Sequence, residues 1–122
     1  MKTIIAGSRT ITDYVQVEQA VNDSGWADKI TEVVCGGAEG VDGLGWRWAK
    51  SKDTNPSVAH FRANWAAYGK KAGPLRNEQM AKHADALILV WDGKSKGSAD
   101  MKRRAEAHGL RIFERVVRND SA

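Results

Sequence analysis

The chain has 122 residues, of which 42% are hydrophobic and 28% charged, a balance that fits one soluble globular domain. Cys35 is the single cysteine, which excludes an internal disulfide, and neither a leader-like segment nor an apolar run near the roughly 18 residues of a membrane span is present, so a soluble, cytoplasmic protein is expected. The net charge of +4 leans toward anionic partners: the excess among Lys94, Lys96, Lys102, Arg103, Arg104, Arg111, Arg115 and Arg118 either forms a solvated helix face or draws phosphate or nucleic acid.

Lys2 to Ala6 is a short apolar run ending in Gly7-Ser8-Arg9, a buried strand followed by a tight turn. From Asp13 to Ser24 the spacing is helical, with Val17, Ala20, Val21 and Ser24 on one face and Gly25 as the stop. Thr31 to Cys35 predicts a second strand running into Gly36-Gly37. A second helix begins near Glu39 or Gly40 and buries Val41, Leu44, Gly45, Trp48 and Ala49. Ser57 to Phe61 is a weaker strand. Arg62 to Gly73 reads as an aromatic and basic loop, and Pro74 suits the first turn of a helix running to His83. Asp85 to Trp91 is apolar nearly throughout, as a strand covered on both faces requires. After a glycine and lysine loop, Ser98 is the expected N-cap of a fourth helix ending at Gly109. Arg111 to Val117 is the last strand, and residues 119–122 form a polar tail expected to fray.

Strands alternating with helices predict a parallel sheet in a Rossmann-like α/β/α domain spanning residues 1–118. The expected order of the five strands is 3-2-1-4-5. That order sets the first, second and fourth strands side by side, so the loops at their carboxyl ends converge on one crevice, where open α/β sheets bind ligands. In the loop Gly36-Gly37-Ala38-Glu39-Gly40, glycines let backbone N–H groups approach a ligand, and the following helix adds its positive end. Phosphate or diphosphate is the natural guest. Asp42 either bonds a sugar hydroxyl or favours the helix N-terminus. Ser8 and Arg9 offer a hydroxyl and a guanidinium shaped for bidentate phosphate contact. The loop from Asp92 to Ser98, with Gly97, is a second anion site at a helix start. Trp65 or Tyr68 stacks on a base, with Lys70 or Lys71 near its phosphate, or covers the core edge. Trp26, Trp46 and Trp48 are assigned to core or interface. His60, His83 and His108 lack metal-ligand spacing, so neither a metal nor a cofactor is expected.

These segments, together with Tyr68-Gly69-Lys70-Lys71-Ala72-Gly73-Pro74-Leu75-Arg76-Asn77-Glu78-Gln79-Met80 and Trp91-Asp92-Gly93-Lys94-Ser95-Lys96-Gly97-Ser98, resemble the SLOG superfamily, and within it the small YspA/YpsA-related domains. The resemblance implies binding of a nucleotide or its derivatives, including NAD and ADP-ribose-type signals, by a sensor or sequestering protein. Arg76 and Asn77 would contact phosphate or ribose. It further implies a homodimer or tetramer paired through helices, and a link to bacterial and phage conflict. Two relatives frame the alternatives. Arg76 to Met80 resembles the Arg-x-x-x-Met segment of the lonely-guy phosphoribohydrolases, but the glutamate of their glycine motif falls on Met101. A thioether cannot serve as a carboxylate in glycosidic cleavage, and Asp100 points about 100° away on a helix. The DNA-processing protein A family, which binds single-stranded DNA, shares motifs with Gly7-Ser8-Arg9, Gly37 to Asp42 and Arg76-Asn77, which keeps nucleic-acid binding as the other alternative.

Overall fold

The computed structural model describes residues 1–36 and 40–118, the side chain of Asp42 excepted. In chain order the elements are β1 (Lys2–Gly7), α1 (Tyr14–Ser24), β2 (Glu32–Cys35), α2 (Val41–Ser51), β3 (Ser57–His60), α3 (Trp65–Tyr68), a 3-10 turn (Gly69–Lys71), α4 (Ala72–His83), β4 (Ala86–Trp91), α5 (Lys96–Ala107) and β5 (Arg111–Val116). The sheet runs β3-β2-β1-β4-β5, and every pairing is parallel. The expected fold and strand order are therefore those found.

Successive strand residues face opposite sides, and that alternation builds two cores. Ile5, Val33, Ile88 and Val90 pack with Val17 and Val21 of α1 and Val41 and Trp48 of α2. Ile4, Val34, Leu87 and Leu89 pack with Met80 and Ala81 of α4 and Met101 and Ala105 of α5. All six residues of β4 are buried, which its unbroken apolar run requires. Asp13 caps α1 by accepting from the Val15 amide, and Gly25 ends it in the left-handed conformation (φ 77). No helix among the described residues is long and apolar enough to cross a membrane.

Two expectations are corrected. The segment from Arg62 to Gly73 is not simply a loop: Asn64 accepts from the Ala67 amide and starts α3, which passes through the 3-10 turn into α4 at Ala72. Pro74 is the third residue of α4, within the first turn, where no N–H is needed for the ladder. The N-cap of α5 is Ser95 rather than Ser98. The Asp92 carboxylate folds the preceding loop by accepting from the Lys94 and Ser95 amides at 2.8 and 2.9 Å, so the helix starts earlier and Ser98 falls in its first turn, buried. Trp48 is core, whereas Trp46 is 44% exposed. The tail from residue 119 lies outside the described residues.

At the end of β1, Gly7 pairs with Val90. A Cβ there would lie 1.7 Å from the Val90 carbonyl oxygen and 2.9 Å from Val41 Cγ2. Gly7→Ala must part β1 from β4, and a loss of about 3 kcal/mol in urea unfolding is expected.

Candidate functional site

The site is built from the ends of β1 and β4. Beyond Gly7, Ser8 is 2% exposed and its amide donates to the Val90 carbonyl at 3.2 Å. Its hydroxyl accepts from the Asp92 amide at 3.0 Å and lies 2.7 Å from the Ser95 hydroxyl. Ser95 Oγ donates to Asp92 Oδ1 at 2.9 Å, so the proton between the two serines comes from Ser8. Ser8 and Asp92 thereby lock the loop after β4 onto the end of β1. The Lys94 and Ser95 amides, with the Ser95 hydroxyl, hold the Asp92 carboxyl down to about 2. A carboxyl so far below neutrality is not a general acid at pH 7.

A second set of bonds ties α4 to β2 and α5. Arg76 donates to the Gly36 carbonyl at 2.9 Å and to Asn77 Oδ1 at 3.0 Å. Asn77, 5% exposed, donates to the Gly97 carbonyl at 3.3 Å and to Asp100 Oδ2 at 3.0 Å. Asp100 also accepts from Arg103 at 3.3 Å and Arg104 at 2.9 Å. Hydrogen bonding to Asp100, foremost, and to Glu78 raises the Arg104 guanidinium further above its ordinary range.

Between these two sets lies a cleft of about 620 Å³, a size that suits a small-molecule ligand. Of the residues expected at the site, Gly7, Ser8, Arg9, Lys70, Arg76, Asn77, Asp92, Gly97 and Ser98 line it. Gly36 is buried and not in the wall; its carbonyl accepts from Arg76. Gly40 (φ 75) packs on the β1 loop: a Cβ there would lie 2.6 Å from backbone atoms of Ser8 and Arg9. Tyr68 is exposed and is not in the wall; its neighbour Trp65 is. Gly37, Ala38 and the side chain of Asp42 lie outside the described residues. The cleft also gathers Ser95 and Lys96 of the expected Asp92–Ser98 loop, together with Asp100 and Arg103, which sequence reading did not select. Their signal was the true start of α5, three residues before the expected cap.

The charges in the cleft are unevenly matched. Asp92 and Asp100 are committed to the bonds above. Among the described residues Arg9, Lys70 and Lys96 have no carboxylate partner, and Arg76 donates only to neutral oxygens. The N-cap hydroxyl of α5 makes no capping bond, being turned to Asp92 and Ser8. Ser98, 6% exposed, lines the cleft with its hydroxyl unpaired among the described residues. Met80 and Met101, both buried, form the apolar floor. Among the described residues no group of three or more His, Cys, Asp or Glu side chains is placed to hold a metal ion.

A family model described as YAcAr, the YspA, cpYpsA-related SLOG family, matches residues 1–68. That span takes in the β1 loop and Trp65 but stops before α4 and α5. The Gene 61 protein of Mycobacterium phage D29 is 34% identical over 117 residues, covering 92% of this chain and 94% of that protein. The likeness therefore extends through the α4 and α5 wall. No solved structure matches the chain significantly.

Asp92 supports a prediction with a defined sign. Its carboxyl is depressed to about 2 in the folded protein from an ordinary 3.8, so its stabilising contribution is complete above about pH 4 and is lost as pH falls toward 2. Asp92→Ala is expected to destabilise by about 1–2 kcal/mol at pH 7. The gap from wild type should narrow between pH 4 and pH 2 in denaturant melts.

Proposed function

The chain belongs to the YspA, cpYpsA-related SLOG family, and from that premise we propose that its cleft binds a nucleotide-derived ligand as a cytoplasmic sensor or sequestering protein. The observation that carries this reading is the set of four cations, Arg9, Lys70, Arg76 and Lys96, that face one cleft without carboxylate partners among the described residues. They come from the loop after β1, the 3-10 turn, α4 and α5. Cations gathered from four elements against a loss in mutual repulsion are neutralised by a polyanion, and phosphate matches the donors present. The first-turn amides of α5 and the unpaired Ser98 hydroxyl add neutral donors at the positive end of a helix. NAD, a mononucleotide or an ADP-ribose-type signal all carry such a group.

Binding without turnover is favoured over glycosidic hydrolysis. Met101 is 1% exposed in the cleft floor, the Asp92 carboxylate is bonded to two amides and the Ser95 hydroxyl, and Asp100 is bonded to Asn77 and two arginines. None of these supplies a free carboxylate to a sugar carbon. The phage source of the relative is in keeping with a role in phage and host conflict. Pairing of two or four copies belongs to the same proposal, with the exposed Trp46 on α2 as the contact face.

Thermal melts against nucleotides, NAD, ADP-ribose and oligonucleotides, with the ligand analysed afterwards by chromatography, test the reading. A shift with the ligand recovered intact is expected, and release of free base would assign hydrolysis instead. A shift from single-stranded DNA alone, falling steeply with salt, would assign nucleic-acid binding. Arg9→Ala and Arg76→Ala should each weaken binding by about tenfold to a hundredfold. Arg9→Ala should melt as wild type, while Arg76→Ala should also lower stability, because Arg76 alone of the two holds β2 to α4.

A further inference from the structure

The residues from Trp65 to Lys71 cross from β3 to α4 as an arm over the cleft, and none of them is buried. The arm contributes nothing to either core, yet it carries a tryptophan. Trp65 is 52% exposed although it forms part of the cleft wall. The ring has a defined seat: its Cη2 and Cζ2 atoms lie 3.2 and 3.9 Å from where a Cβ on Gly73 would be. Gly73 itself is buried, so the absence of a side chain there gives the indole its place against the first turn of α4.

An indole left half in water forgoes about half of its hydrophobic gain. A partly open aromatic face in a cleft wall is suited to a second planar group. The surroundings narrow the choice. Lys70 on the same arm, Arg76 on α4 and Lys96 on α5 make the polar side of the cleft cationic, while Pro74, Met80 and Met101 make the remainder apolar. One ligand that satisfies both sides joins an anionic group to a flat, uncharged ring.

Resting on the nucleotide reading above, we propose that Trp65 is the residue that stacks on the base of the ligand and so restricts the site to base-bearing phosphates, as against sugar phosphates or inorganic phosphates. Tyr68, on the outer side of the arm, takes no part. Because Trp65 sits outside both cores, its removal leaves the fold intact.

The test compares wild type, Trp65→Ala and Trp65→Phe by titration calorimetry with two probes, ADP-ribose and inorganic pyrophosphate. Trp65→Ala is expected to melt within a degree or two of wild type. It should bind ADP-ribose about tenfold to a hundredfold more weakly and bind pyrophosphate as wild type does. Trp65→Phe should recover most of the loss for ADP-ribose. Tryptophan emission should be quenched by ADP-ribose in wild type and much less in Trp65→Phe. Equal losses for both probes, or no loss for either, would overturn the assignment of Trp65. If wild type binds pyrophosphate as tightly as ADP-ribose, base recognition is refuted while the anion site stands. If wild type binds neither probe, both this proposal and the nucleotide reading fall.

Discussion

At the carboxyl ends of β1 and β4 the two strands come so close that a single methyl group at Gly7 would collide with the Val90 carbonyl. That approach carries Ser8 into bonding distance of Asp92 and Ser95, and the rest of the site follows from it. The Asp92 carboxylate, bonded by two amides and a hydroxyl, sets where α5 begins. The start of α5 in turn brings Lys96, Gly97 and Ser98 to the cleft. On the other side of β1, Gly40 docks the start of α2 on the same Ser8–Arg9 backbone. The glycines of this protein thus serve backbone contact with backbone as well as room for a ligand.

The charged residues divide into two populations with different work. Asp100, Arg103, Arg104, Glu78 and His108 are bound to one another across α4 and α5, and Lys102 is paired with Glu114. Hydrogen bonding to Lys102 and Trp91 holds the Glu114 carboxyl below its ordinary range. These pairs are partly exposed and each adds modestly to stability. Their larger effect is to neutralise Asp100, one of the two acids that line the cleft. The other, Asp92, is bonded to amides and a hydroxyl and is outnumbered by Arg9, Lys70, Arg76 and Lys96, so a chain with a modest net charge presents a cationic concavity.

Much of this was legible in the chain itself. The unbroken apolar run from Ala86 to Trp91, the helical spacing of Val17, Ala20 and Val21, and the alternation of strands with helices were enough for the sheet order, because burial on two faces leaves few ways to stack such elements. The short run at Ser57 to His60 was readable only as a weaker strand, and its half-buried pattern is that of a sheet edge. The convergence of the loops bearing Ser8, Arg9, Asp92 and Ser98 followed from the sheet order, whereas Arg76 and Asn77 were expected from the family resemblance. The choice between Trp65 and Tyr68 did not: both lie on one short helix, and their exposure differs little.

The sequence by itself determined the class of fold, its topology and the loops that meet at the crevice, since these rest on hydrophobic periodicity and on where glycine interrupts it. Only the tertiary structure decided which charges are free. Whether a lysine, arginine or aspartate is spent depends on partners distant in the chain, as Asn77 with Asp100 and Ser8 with Ser95 show. It also decided that Ser95 rather than Ser98 begins α5: the Asp92 carboxylate folds the loop onto the Lys94 and Ser95 amides, and Ser8, just past β1, bonds Ser95 and the Asp92 amide from a distant part of the chain. Local propensity favours both serines alike, and these two sets of bonds together settle between them.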